Sequence, residues 1–114
     1  MTINDFVSIY YLHDSLITHI SYLNQIVSIT IEFCNWAQTW YQDKEPEIEN
    51  LILSFKDVEK YDGLIGDLNY YSILDVNYHE PKLDFFICDD YNDDYFHIVF
   101  EATSVNVEKA PPKS

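Results

Sequence analysis

Arginine is absent from this 114-residue chain, and six lysines stand against twenty aspartates and glutamates, for a formal net charge of −14. A surface this negative repels nucleic acid and anionic membranes, which are bound through clustered Lys and Arg. The missing guanidinium also removes the bidentate fork usual in phosphate and carboxylate recognition. Glycine is almost as scarce: Gly63 and Gly66 are the only two, and no Lys-Ser/Thr pair follows them. That excludes a glycine-rich phosphate cradle. No window reaches the ~18 apolar residues of a membrane helix. The start, MTINDFVSIYY, has no positive charge, uninterrupted apolar run or small-residue cleavage site, so a cytoplasmic location is expected. The two cysteines, Cys34 and Cys88, form no CxxC pair, and the four histidines are scattered. Without ligand spacing, no metal and no cofactor is expected.

What the chain has is apolar and aromatic mass. Hydrophobic residues make up 47% and aromatics 17%, far too much for a disordered acidic polymer and suited to one compact core. Alternation with period two dominates, and it identifies strands. In Ile26 to Cys34, Val27, Ile29, Ile31 and Phe33 fall on one face, opposite Ser28, Thr30 and Glu32. Ser15 to Tyr22 is its partner, joined through Leu23-Asn24-Gln25, where Asn24 suits a turn. In Asn50 to Phe55, Leu51, Leu53 and Phe55 point inward. Tyr70 to Tyr78 sets Leu74, Val76 and Tyr78 against Ile73, Asp75 and Asn77. Leu83 to Cys88 and Tyr95 to Ala102 flank the acidic turn Asp89 to Asp94, with Phe96, Ile98 and Phe100 opposite His97, Val99 and Glu101. Val105 and Val107 extend the last strand or form another.

Helical signals are few. Phe6 to Leu12 fits either a strand or one amphipathic turn. Glu59 to Asn69 has Leu64, Ile65 and Leu68 at helical spacing but contains both glycines, and it reads as a loop with at most one helical turn. Asn35 to Ile48, with Pro46, is a long connection. The expectation is an all-β fold, mainly an antiparallel meander of six or seven strands, as a twisted sheet or small sandwich with at most one short helix. One domain over residues 1–109 and a flexible tail over 110–114 complete the organisation.

Three stretches bear chemical side chains. In LHDSLITHI, Leu12 to Ile20, strand parity puts Ile17 and His19 on one face and Thr18 on the other. Asp14 and Ser15 suit a turn that bonds its own backbone, while a hydrolase or metal-binding enzyme using His13, Asp14 and His19 is the alternative. In CDDYNDDYF, Asp90, Asn92, Asp94 and Glu101 match acidic positions of a calcium loop, but Tyr95 replaces the obligatory Gly and both flanks alternate as strands. A solvated hairpin tip fits better, and its functional form is a partner-binding surface of Asp89, Asp90, Tyr91, Asp93 and Asp94. In NWAQTWYQDKEPEIE, the aromatics Trp36, Trp40 and Tyr41 precede Asp43, Glu45, Glu47 and Glu49, a composition suited to an interface or to capping the core.

The aromatic opening that runs into Leu12-His13-Asp14-Ser15, with the ending FEATSVNVEKA (Phe100 to Ala110), resembles small bacterial single-domain proteins of unknown function, some of them toxin-immunity proteins. The resemblance implies a non-enzymatic antitoxin or an uncharacterised domain and transfers no catalytic residue. With the net charge, it leads to the expectation of a small acidic domain that binds a cationic protein partner, steered in by the field. A structural subunit assembling as a homo-oligomer through an exposed strand edge is a further alternative.

Overall fold

A computed structural model describes residues 1–44 and 46–110. Thr2 opens the chain as an N-cap, its hydroxyl accepting from the Asp5 amide at 3.0 Å, and helix α1 (Ile3–Ile9) follows. Asp5 in the first turn suits the helix dipole. The Phe6 to Leu12 stretch is thus split, with Phe6 helical and the chain extended from Tyr10.

Seven strands follow: β1 (Leu16–Leu23), β2 (Ile26–Cys34), β3 (Ile48–Lys56), β4 (Gly66–His79), β5 (Lys82–Asp89), β6 (Asp94–Glu101) and β7 (Ser104–Lys109). A 3-10 turn over Asn35–Ala37 begins the β2–β3 connection. All neighbours pair antiparallel, in the order β6-β5-β4-β1-β2-β3-β7. Two three-stranded meanders are therefore joined by a crossover from β3 to β4, and β7 returns to the far side of β3. The fold is all-β, an open twisted sheet with one short helix. Asn24 (φ 53) and Gln25 (φ 62) form a two-residue turn of the primed kind that hairpins favour.

The sheet curls strongly. Glu101 ends β6 at one margin and Ser104 begins β7 at the other, yet only Ala102 and Thr103 lie between them. That link spans roughly 10 Å at most, so the margins converge at one corner, where the Thr103 amide donates to the Lys56 carbonyl. Inside the curl, Phe55 of β3 meets Phe6, Phe85 and Phe100 edge-on at 5.7, 5.9 and 5.1 Å. The outer edge of β7 is bridged by Met1, whose amine donates to the Val105 carbonyl and whose carbonyl accepts from the Val105 amide. Among the described residues, β6 pairs on one side only.

Two face assignments read from strict alternation are corrected. In β1 the register slips between Ile17 and His19. Thr18 is the extra residue, so Ile17 and Ile20 both face the core while His19 turns outward. Each bulge shifts parity by one. In β4 the register slips between Ile73 and Asp75: Ile73 is buried with Val76 and Tyr78 packed behind it, and Leu74 leaves the core. The loop expected over Glu59 to Asn69 is also shorter, because Gly66 (φ 106) to Asn69 already belong to β4. Of the expected tail, Ala110 donates to the Asn50 carbonyl, and 111–114 lie outside the described residues, as does Glu45. No helix among the described residues is long and apolar enough to cross a membrane.

Candidate protein-binding surface

The acidic turn between β5 and β6 is built from its first aspartate. Asp89 is 5% exposed. Its Oδ1 accepts from the amides of Tyr91 (3.0 Å) and Asn92 (3.3 Å), and its Oδ2 from Asn92 Nδ2 (2.8 Å). This is an aspartate bonding its own turn. These hydrogen bonds, that from the Asn92 side chain foremost, hold its carboxyl below the ordinary value of 3.8. Asp89, read from sequence as partner-facing, is instead buried and occupied in shaping the tip. A lowered folded-state pKa means that the unfolded chain binds more protons near pH 4, so this stabilisation is present above that range and is lost as pH falls through the folded pKa. In urea unfolding, the advantage of wild type over Asp89→Asn should therefore shrink on acidification below pH 3.8, and an advantage constant across that range would refute the assignment.

The turn then docks on β4. The Asp90 amide donates to the Tyr70 carbonyl at 2.7 Å, and Ser72 Oγ donates to Asp90 Oδ1 at 2.8 Å. Tyr70 and Tyr91 consequently stack at 6.3 Å, although they are 65% and 81% exposed. Tyr70 holds φ at 65, a conformation costly for a bulky residue and one that tends to mark functional positions.

A second row of rings runs along the outer face of the hairpin. Phe86 pairs directly with His97 and lies diagonal to Tyr95, both within reach across antiparallel strands. Phe86 stacks on His97 at 4.7 Å and on Tyr95 at 5.7 Å. Asp84 Oδ1 and Oδ2 lie 2.9 and 3.1 Å from His97 Nδ1. Asp90, Asp93 and Asp94 are exposed in the turn and at the start of β6. Phe86 and Asp84 were placed only within a strand, whereas His97 was legible, since alternation sets it opposite Phe96, Ile98 and Phe100. Tyr70 was not, because its place depends on the β4–β5 register.

The other sequence candidates occupy a different part of the molecule. His13 Nδ1 lies 3.2 Å from Asp14 and its ring stacks on Tyr11, but His19 faces Asp67 at 2.8 Å on β4. The three do not converge. Asp14 (φ 69) and Ser15 lock a turn: the Asp14 amide donates to the Ile73 carbonyl, the Ile73 amide donates to the Ser15 carbonyl, and Ser15 Oγ accepts from the Cys34 amide. Cys34 and Cys88 are free and buried, and burial raises both thiol pKa values. Among the described residues no three His, Cys, Asp or Glu side chains gather as a metal site. Trp36 and Trp40 are exposed on the β2–β3 connection and Tyr41 is half-buried. Comparison with protein-family models, with curated proteins and with solved structures gave no match.

Proposed function

We propose that this protein is a small acidic binding domain, of the kind that inhibits a toxin or other cationic protein by covering it, and that the β5–β6 hairpin is its contact surface. The observation that carries the reading is two ring pairs on one hairpin region, the exposed Tyr70 and Tyr91 at the tip and the exposed Tyr95 stacked on half-buried Phe86, with Asp90, Asp93 and Asp94 exposed in and after the same turn. Stacked rings offer rigid apolar area at low entropic cost, and the surrounding carboxylates steer a positive partner towards them. The one-sided β6 edge adds backbone donors and acceptors that an extended partner segment can use.

The partner is captured on immobilised protein, identified, and its association measured against salt. A basic protein is expected, with an on-rate that falls steeply as salt rises. The triple change Asp90→Asn, Asp93→Asn and Asp94→Asn should slow association about tenfold at low salt and have little effect at high salt. Association indifferent to both salt and the triple change would overturn the reading.

A further inference from the structure

A second aromatic and acidic feature lies in a cleft of about 310 Å³ lined by β3, β7 and the connection after β2. Tyr10 meets Phe33 at 5.7 Å with planes 66° apart, and Trp40 at 5.8 Å and 83°. Rings at such angles form adjoining sides of a box rather than a stack. Phe33 is buried beneath, while Trp40 is 41% exposed.

The charge in the box is held in place. Asn35, itself buried, donates from Nδ2 to Glu49 Oε1 at 2.8 Å and to the Pro46 carbonyl at 3.1 Å. The other carboxylate oxygen of Glu49 lies 3.6 Å from Lys109 Nζ, and the lysine side chain is 80% exposed. Glu108 borders the same space. The cleft thus already draws one ammonium group, tethered and loosely held.

We propose that this cleft binds an alkylammonium group, a primary or methylated amine on an aliphatic stem, which displaces Lys109 from Glu49. The cation would face the rings of Tyr10 and Trp40, an arrangement favoured by the ring quadrupole. The Glu49 carboxylate supplies a charge-assisted hydrogen bond. Phe33, Leu51 and Val107 offer apolar surface to the stem. The inference stands on the cleft alone and is independent of the role given to the hairpin.

The test is a titration of the full chain followed through the two tryptophan indole N–H signals, Trp36 lying outside the cleft and acting as the internal control. The probes are n-butylammonium, Nα-acetyl-lysine methylamide and neutral n-pentanol. Saturable movement of the Trp40 signal is expected with an ammonium probe and not with the alcohol. Glu49→Gln, which keeps an acceptor for Asn35, should weaken binding about tenfold. Lys109→Met should strengthen it several-fold by removing the competing cation. Preference for the free amine over the lysine derivative would assign a small-molecule amine, and the reverse a lysine of a partner. No saturable shift, an equal response to pentanol, or unchanged affinity in both variants would overturn the proposal.

Discussion

Phe55→Ala is expected to cost about 3–5 kcal/mol of folding stability, the usual range for emptying a buried aromatic site. Phe55 is fully buried on β3, and its ring is bounded by Phe6 from α1, Phe85 from β5 and Phe100 from β6. Phe85 and Phe100 also stack on each other at 6.1 Å. The rings surrounding Phe55 thus come from three separate elements, so no single side chain can relax into the hole. A domain of this size has about 5–15 kcal/mol in total, and the variant would sit near the edge of unfolding. Phe55→Leu keeps most of the volume and should lose roughly 1–2 kcal/mol. Urea denaturation measures both, and a loss below about 1 kcal/mol for the alanine variant would show that the curled sheet does not close on this ring.

Gln38→Leu is the second large effect, of about 2–4 kcal/mol, and its cause is polar rather than volumetric. The buried Gln38 side chain accepts from the Tyr11 amide at 2.9 Å and donates to the Tyr11 carbonyl at 2.6 Å and the Cys34 carbonyl at 3.0 Å. One side chain therefore acts as the strand partner for the segment between α1 and β1. Leucine fills similar space but strands three backbone groups. Hydrogen exchange should localise the damage: the Tyr11 amide would lose protection, while β5 and β6 would keep theirs. Gln38→Glu should also be destabilising at neutral pH, because a carboxylate cannot donate to the two carbonyls. Uniform loss of protection across the sheet would argue against a local strap.

The strands were legible because their signal is local. Ile26 to Cys34 alternates without interruption, and β2 has those same bounds. The hairpin turn at Asn24 and the acidic tip after β5 were equally plain, since turn residues interrupt the alternation there. The helix was partly hidden: Thr2 and Asp5 mark its start, but its seven residues are too few to establish a helical period. Faces failed at Thr18 and Leu74, where one extra residue reverses everything beyond it. Bulges answer to the partner strand, which no local pattern records.

The same division holds for the candidate surfaces. Charge, the absence of arginine and the aromatic content belong to the amino-acid sequence alone, and the cationic partner proposed above is argued from them independently of the fold. Which aromatics share a surface is decided by register and crossover. Tyr70 reaches Tyr91 through the β4–β5 ladder, Tyr10 reaches Trp40 through the helix packed against the curled sheet, and His19 is turned to the outer face by a single inserted residue. Period-two patterning determines that strands form and roughly where they end. Side-chain convergence depends on contacts between residues tens of positions apart, and only closing the sheet around Phe55 brings those positions together.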